Sequence, residues 1–219
     1  MLSAVQRIWL AIPRLVRRLF LLCAAVYVLF GALVTVFQRS LLYLPSVYTR
    51  EQVDQMAQSA HLEHWTNSTG NIIGMRRLSS RQPAEGTVLI TYGNGGTATG
   101  CEHYATDIQS VAALDVCILE YPGYEDRPGS PTQKNLFRAA DEALQSLSTN
   151  GPVYLVGESL GTGVASYLAG THSNRITGIL LISPFNSLTD AARIHYPLLP
   201  VGLLLMDRYP SEKYLRYSN

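Results

Sequence analysis

The pattern of apolar and polar positions divides the chain into an apolar N-terminal stretch and a longer region of alternating strands and helices. Residues 19–37, LFLLCAAVYVLFGALVTVF, contain no charged side chain. As a helix this run is about 28 Å long at ~1.5 Å per residue, close to the roughly 30 Å hydrocarbon core of a membrane. The pattern predicts a single membrane-spanning helix at Leu19–Phe37.

The charges around this run predict which side of the membrane the rest of the chain occupies. Positive residues favour the cytoplasmic side, and four arginines precede the run whereas one follows it directly: Arg7, Arg14, Arg17 and Arg18, then Arg39. We therefore expect the N-terminus in the cytoplasm and the following domain on the extracytoplasmic side, at the inner membrane if the source is bacterial. The alternatives are a cleaved signal peptide and a buried core helix, although signal-peptide apolar regions are usually only about 7–15 residues long.

After residue 40 the periodicity becomes that of one continuous α/β domain. The chain is therefore predicted to comprise a basic N-terminus with its anchor at 1–40 and a second domain at 41–219. Residues 61–66 and 71–79, separated by Ser68-Thr69-Gly70, predict an antiparallel hairpin at the start of this domain.

Short runs that are apolar throughout follow the hairpin, and helical patterns lie between them. The strands are predicted at 87–92, 116–120, 153–157 and 176–183, and the helices at 101–114, 133–147 and 160–169. Such an alternation indicates a mostly parallel sheet with helices on both faces. Because ligands of parallel sheets bind at the carboxyl ends of the strands, the residues just after each strand are the candidates for function.

The strand at 153–157 runs directly into Gly157-Glu158-Ser159-Leu160-Gly161, and a helix rich in small residues follows. This is the pattern G-x-S-x-G between a strand and a helix, the context in which it forms a nucleophile elbow. In an elbow the serine occupies a strained turn, and the glycines avoid collisions with the neighbouring strand and helix. The pattern predicts that Ser159 is a nucleophile whose hydroxyl stands above the sheet.

A nucleophilic serine also needs hydrogen-bond donors for the oxyanion that forms on the attacked carbonyl. In this kind of site the donors are the backbone N–H after the nucleophile, here Leu160, and one from the loop after an earlier strand. That loop is Tyr92-Gly93-Asn94-Gly95-Gly96. The backbone N–H of Asn94 is the predicted second donor, with that of Gly95 next.

The same glycines allow a rival interpretation. Gly93-x-Gly95-x-x-Ala98 after a strand matches the dinucleotide fingerprint, and Glu120 ends the next strand, where an acid that binds ribose would lie. A dinucleotide-binding domain that uses the Gly93–Gly96 loop is therefore an alternative, but it leaves the motif at Ser159 unexplained.

Four segments of the chain resemble one known group, the α/β-hydrolase superfamily, and within it the membrane-anchored branch typified by the bud-emergence-like proteins. They are TVLITYGNGG, ILEYPGYEDRPGSPTQKNL, VGESLGTGVA and LLISPFNSLTDAARIHYPLLPVGLLLMDRYPSEKYL. The resemblance implies the α/β-hydrolase fold and a serine hydrolase of esterase, thioesterase or amidase type. Ser159 would attack the acyl carbonyl of a small-molecule or lipid substrate, form an acyl-enzyme and release the acyl group to water.

The sequence departs from this family's pattern in two ways. Tyr92 stands where family members usually carry His, at the first position of the oxyanion loop. The family's triad also runs Ser, then Asp or Glu, then His, and the last two normally follow strands beyond the one at 176–183. We therefore expect a chain truncated at its C-terminus, a fragment or a disrupted copy, that lacks the last strands and is inactive or impaired by itself.

The acids and histidines that are present do not supply a triad. His172 lies about 18 Å from Ser159 along the intervening helix at ~1.5 Å per residue. Asp190 and His195 are five residues apart and therefore face different sides of a continuous helix. Glu125-Asp126-Arg127 is interpreted as a solvated charged turn.

The composition excludes several other classes of protein. Lys+Arg 17 against Asp+Glu 16 leaves a formal net charge of +1, which gives no net attraction to nucleic acid. With 3 cysteines and no Cys/His cluster, neither a disulfide framework nor a metal site is expected, and no cofactor is expected either.

The state of Cys101 and Cys117 and the oligomeric state stay open. Two functions remain, a membrane-tethered enzyme and a non-catalytic anchored binding protein.

Overall fold

A computed structural model describes residues 13–147 and 151–216 of the chain. The chain divides into two compact units, residues 1–38 and residues 39–219. The first helix, α1 (Arg14–Leu42), begins in one unit and ends in the other.

Helix α1 is longer than the apolar run that predicted it. It extends over 29 residues, about 43 Å at ~1.5 Å per residue, because the arginines that flank the apolar run also favour helix. Most of its large apolar side chains are exposed, among them Leu22, Val28 and Val36. Within the described part of the chain it is the one helix long and apolar enough to cross a membrane.

In the residues that the structure describes, the second unit is built on a mixed sheet of six strands in the order β1-β2-β4-β3-β5-β6. The strands are β1 (Glu63–Thr66), β2 (Ile72–Arg77), β3 (Gly86–Thr91), β4 (Leu114–Leu119), β5 (Val153–Glu158) and β6 (Gly178–Ile182). β1 and β2 form the predicted hairpin, and β2 lies antiparallel to β4. The neighbouring pairs among β3, β4, β5 and β6 are all parallel.

Helices pack against the parallel strands and close the core. The remaining helices are α2 (Arg50–Ser59), α3 (Glu102–Val111), α4 (Gln133–Ser146), α5 (Leu160–Thr171), α6 (Leu188–His195), α7 (Val201–Leu204) and α8 (Ser211–Leu215), with 3-10 turns at Thr99–Cys101 and Ser173–Arg175. α5 packs against β3, β5 and β6, and α4 packs against α5 and β4. The mostly parallel sheet with helices confirms the predicted α/β class.

Strand β3 is the centre of this unit, and all six of its residues are buried. From β3 the chain passes to β4 on one side, and after α4 it returns to β5 on the other side of β3. Such a reversal of strand order opens a crevice outside the carboxyl ends of the strands, where ligands bind. The loop after β3 and the turn after β5 lie at this reversal, so the crevice is expected between them.

Helix α2 is an element that the apolar periodicity did not predict. It contains few apolar residues, and only Val53 and Ala57 are buried. Its start carries a capping box, in which the Thr49 side chain accepts from the backbone N–H of Gln52 and the Gln52 side chain accepts from that of Thr49. The local signal T-x-x-Q was therefore present in the sequence, although the apolar pattern was not.

Candidate active site

Ser159 occupies a sharp bend between the last residue of β5 and the first residue of α5. Its φ is 47° and its ψ is −115°, in a region that residues with a side chain rarely adopt. Such a conformation costs on the order of 1–3 kcal/mol and persists only where its surroundings hold it. The Ser159 N–H donates to the Ile182 carbonyl over 2.9 Å, and the Ser159 carbonyl accepts from the Thr162 N–H and the Thr162 hydroxyl over 2.9 and 2.6 Å.

The two glycines of the motif permit a close approach of the strand, the turn and the helix. A Cβ at Gly161 would lie 2.0 Å from the Thr91 carbonyl oxygen, and a Cβ at Gly157 would lie 2.9 Å from Gly161 O and from the Cβ of Ala165. Because the carbonyl belongs to the central strand, a side chain at Gly161 cannot be accommodated without moving the sheet or the helix. The bend at Ser159 therefore requires glycine at both positions.

The loop after β3 lies directly beside Ser159. A Cβ placed on Gly93 would be 3.3 Å from the Cβ of Ser159. Gly95, two residues further along, has a φ of 77°, and Gly96 N–H donates to the Gly93 carbonyl over 3.1 Å. The structure thus brings together the two segments that the sequence singled out.

Both candidate oxyanion donors belong to these segments. Leu160 is the first residue of α5, and the N–H groups of a helix's first turn have no carbonyl partner within the helix. Three partners hold the side chain of Asn94. Its Oδ1 accepts from the Leu44 N–H and from the Tyr124 hydroxyl, each over 3.0 Å. Its Nδ2 donates to the Leu42 carbonyl. No local pattern in the sequence indicates these distant partners of Asn94.

Tyr92, which replaces the family's usual histidine, is completely buried. Its hydroxyl donates to Glu120 Oε1, and its carbonyl accepts from the Tyr121 hydroxyl over 2.8 Å. Glu120 Oε2 in turn accepts from the Ala98 N–H over 2.8 Å. These contacts hold both ends of the loop of residues 92–98, so Tyr92 supports the loop from inside the core.

Burial raises the pKa of Glu120 well above its ordinary value, and the charge and hydrogen bond of the neighbouring Glu125 raise this pKa further. The Glu120 carboxyl is fully enclosed and already bonded to Tyr92 and Ala98. It is therefore not available to bind a ribose, which disfavours the interpretation of the Gly93–Gly96 loop as a dinucleotide site.

The interpretation of residues 125–127 as a solvated charged turn is wrong. Glu125 is buried with a φ of 47°, and its Oε1 accepts from both the N–H and the hydroxyl of Thr99. Arg127 donates to the Ile73 carbonyl over 3.0 Å and to Glu142 over 2.8 Å. These partners come from distant parts of the chain, so a local run of charges did not indicate burial.

Three of the histidines in the described residues have partners other than Ser159. His172, at the end of α5, pairs with Asp141 over 2.9 Å, and His64 pairs with Asp54 over 2.6 Å. The ring of His103 packs on that of Tyr104 with a centroid distance of 4.2 Å.

The last candidate pair for a triad is not formed either. Asp190 accepts from the Ser187 hydroxyl over 2.6 Å and from Arg193 over 2.9 Å, whereas His195 is exposed at the end of α6. Among the described residues, no hydrogen bond joins the hydroxyl of Ser159 to a histidine. The structure therefore brings Ser159 and the segments of Leu160 and Asn94 together, but it identifies no general base within residues 13–147 and 151–216.

The cysteines take no part in this site. Cys101 and Cys117 are free, buried thiols, and burial raises the pKa of each to about 12. Over the described ranges no cluster of three or more His, Cys, Asp and Glu side chains has the arrangement of a metal site.

The comparison with protein families defines the class of the protein. Residues 86–214 match the model of the alpha/beta hydrolase fold. This segment includes β3 to β6, the loop of residues 92–96 and the turn at Ser159. The chain belongs to the α/β-hydrolase fold family, which confirms the superfamily that the sequence motifs resemble.

Two curated proteins are similar in sequence to part of this chain. An uncharacterized protein of Mycobacterium tuberculosis is 37% identical over 129 residues, which cover 57% of this chain and 45% of that protein. The lysophosphatidylserine lipase ABHD12 of Gallus gallus is 33% identical over 126 residues, which cover 54% of this chain and 32% of that lipase. The chain thus spans less than half the length of these curated relatives.

Solved structures share the fold at low sequence identity. An alpha-beta hydrolase from Vibrio vulnificus superposes with a TM-score of 0.57 and 20% identity, over 77% of this chain and 64% of that one. The esterase Pf2001 of Pyrococcus furiosus superposes with a TM-score of 0.52 and 14% identity, over 81% of this chain and 71% of that one. These likenesses show that the chain shares the fold of the two solved structures.

Proposed function

We propose that this protein is a membrane-anchored serine hydrolase that cleaves an ester, thioester or amide bond in a lipid or small-molecule acyl substrate. The observation that carries the proposal is the bend at Ser159, whose φ is 47° and whose Cβ is 3.3 Å from where a Cβ on Gly93 would be. Strain of this kind concentrates at functional sites, and the lipase and esterase relatives support acyl transfer as the chemistry.

The reaction would proceed through an acyl-enzyme on Ser159. The Ser159 oxygen attacks the carbonyl carbon, and the oxyanion that forms accepts hydrogen bonds from the backbone N–H groups of Leu160 and Asn94. The carbonyl re-forms as the alcohol, thiol or amine leaves, and water then hydrolyses the acyl-enzyme in a second round of the same steps. Each round needs a base that takes a proton from the attacking oxygen.

The rate of this chain by itself is proposed to be low. Since no described histidine contacts Ser159, stabilisation of the oxyanion is the main contribution left, and a site without its triad retains an acceleration on the order of 10³-fold over water. Free imidazole in solution is a base of the right pKa, and it would substitute in part for a missing histidine.

The test combines an active-site label with this chemical rescue. The chain in membranes is treated with a fluorophosphonate, digested and analysed by mass spectrometry, with and without added imidazole. We expect modification at Ser159 at a rate that rises with imidazole, no modification there in Ser159→Ala, and an unchanged rate in the control Ser80→Ala, which alters an exposed loop.

Two results would contradict the proposal. If the label bound at other serines at the same rate as at Ser159, the bend would not activate its hydroxyl. If Ser159 stayed unmodified with and without imidazole, the second candidate, a non-catalytic anchored binding protein, would be the better account. The observation that favours this second candidate is the lack of a histidine at Ser159 among the described residues.

A further inference from the structure

Exposed apolar side chains cluster in two segments of the second unit that are distant in sequence. One segment directly follows the apolar part of α1 and exposes Leu41, Leu44 and Val47. The other lies at the end of α6 and in α7, and it exposes Ile194, Tyr196 and Leu203. We call these six side chains the apolar rim. A soluble surface rarely presents large apolar side chains in such a group without a partner.

Hydrogen bonds fasten these two segments together. The Asp207 carboxylate accepts from Arg39 Nε and from the Tyr43 hydroxyl, each over 3.1 Å, and Asp207 is almost completely buried. The hydroxyl groups of Tyr43 and Tyr209 also lie 2.8 Å apart. The chain that leaves α1 is therefore fixed to the residues that directly follow α7.

The bonds of Asp207 to Arg39 and Tyr43 limit the distance between the end of α1 and the second segment of the rim. Leu203 precedes Asp207 by four residues, so their Cα atoms are at most about 15 Å apart at 3.8 Å per residue. Arg208 holds α7 in place, since its guanidinium donates to the carbonyls of Gly202 and Leu205 over 3.0 and 3.1 Å. The guanidinium of Arg193 also lies beside Gly202, where a Cβ would be 3.0 Å from its Nη2. The end of α6 therefore stays close to α7.

We infer that the apolar rim is a docking surface for the lipid bilayer. This inference rests on the proposed function, in which α1 spans the membrane. The uncharged run ends at Phe37, so Arg39 and Tyr43 lie where the hydrocarbon gives way to headgroups. Residues fastened to Arg39 and Tyr43 then lie at the same level, and an exposed tyrosine such as Tyr196 is typical of a membrane interface.

The rim also specifies the substrate class of the proposed site. Its second segment follows β6 in the chain, and the Ile182 carbonyl at the end of β6 accepts the N–H of Ser159. Leu44 of its first segment donates its N–H to Asn94 Oδ1, in the loop beside Ser159. A rim embedded among the headgroups would place the crevice at Ser159 next to the membrane surface. The acyl substrate is therefore inferred to be a lipid ester that enters from the bilayer, rather than a solute.

Fluorescent probes at single cysteines test the docking surface in the full chain. In a Cys23→Ala background, in which the remaining thiols Cys101 and Cys117 are buried, an environment-sensitive fluorophore is attached to Leu203→Cys. The matched control is Val111→Cys at the end of α3, since Val111 is 81% exposed and Leu203 is 85% exposed. Phe30→Cys within α1 reports insertion of the span. Each chain is reconstituted in phosphatidylcholine vesicles with and without brominated lipid, which quenches fluorophores that contact it.

We expect quenching at positions 30 and 203 and none at 111. Quenching at 30 with none at 203 would overturn the docking surface and leave the anchor intact. A fluorophore at 203 that is shielded from water but not quenched would show that protein, such as a second copy of the chain, covers the rim. No quenching at 30 would overturn the anchor, and the docking surface with it. Failure of the catalytic proposal would instead appear as absent labelling of Ser159, which none of these measurements uses.

Discussion

At the scale of single residues, the candidate site depends on positions where no side chain fits. At Gly161 and Gly157 the neighbouring helix and strands approach so closely that no room is left for a Cβ. The sequence predicted this requirement correctly, because G-x-S-x-G between a strand and a helix has a steric reason that is independent of the rest of the chain.

Replacing Gly161 with alanine is expected to destabilise the second unit. The new Cβ would lie 2.0 Å from the Thr91 carbonyl, so the backbone must move, at a cost of about 3 kcal/mol in the free energy of unfolding. Gly151→Ala is the matched control, since a Cβ there would be 3.5 Å from the nearest atom. The melting temperatures of both variants are measured by thermal unfolding of the detergent-solubilised chain. Equal melting temperatures for Gly161→Ala and Gly151→Ala would contradict the steric argument.

The raised pKa of Glu120 predicts how the free energy of unfolding depends on pH. Its pKa is raised in the folded protein above an ordinary value of 4.5. The folded state therefore keeps a proton that the unfolded state releases, and stability falls as the pH rises from about 4.5 toward the raised value. The free energy of unfolding falls by at most about 1.4 kcal/mol per pH unit in this range. Below pH 4.5 the protonated Glu120 makes its full contribution to stability.

The variant Glu125→Gln separates this effect from other titrating groups. Its amide oxygen retains an acceptor for Thr99, while the negative charge that raises the pKa of Glu120 is removed. We expect the stability of the variant, measured by urea unfolding between pH 5 and 8 at intervals of about one unit, to fall less steeply with pH. An unchanged slope would mean that the two carboxyl groups are not coupled.

At the scale of elements, the loop of residues 92–96 is held from two directions. Tyr92 is bonded within the core, and the Asn94 side chain is bonded to the chain segment that leaves α1. The sequence predicted that this loop carries an oxyanion donor, but it could not show what orients the donor. The partners of Asn94 are about fifty residues away in the chain, where no local pattern indicates them.

Asn94→Ala is therefore expected to slow the labelling of Ser159. The backbone N–H remains in this variant, but the contacts that fix the loop are lost, so we expect a reduction of about tenfold, less than the 10²- to 10³-fold of a deleted donor. Tyr124→Phe, which removes only one of the contacts to Asn94, should have a smaller effect. An unchanged labelling rate in Asn94→Ala with an intact melting temperature would argue against a role of this loop in the site.

The elements that the sequence predicted well are those with a strong apolar period. Strands β3 to β6 and helices α4 and α5 were found within two residues of their predicted limits. Helix α2 was missed because its stability depends on a capping box and on two buried side chains, Val53 and Ala57. Glu125 was misjudged because burial of a charge depends on partners such as Thr99, which tertiary structure alone brings near.

At the scale of the whole molecule, one long apolar helix precedes a hydrolase-fold unit. The flanking arginines predict that this unit lies outside the cytoplasm. In membrane vesicles of known orientation, we expect protease on the cytoplasmic side to leave residues 43–216 intact and protease on the opposite side to digest exposed loops, with immunoblotting as the measurement. Digestion of this unit from the cytoplasmic side would show the reverse orientation.

The bonds from Asn94 to Leu42 and Leu44 also bear on what would happen if the protein were shed from its membrane. A protease that cut the chain between these two residues, at the end of α1, would release a diffusible form that keeps Ser159 and the glycines around it. That form would have lost the covalent link between Leu42 and Leu44, whose backbone groups hold the Asn94 side chain in the loop after β3. For the proposed membrane-anchored hydrolase, release from the membrane would therefore slow the reaction as well as relocate the enzyme.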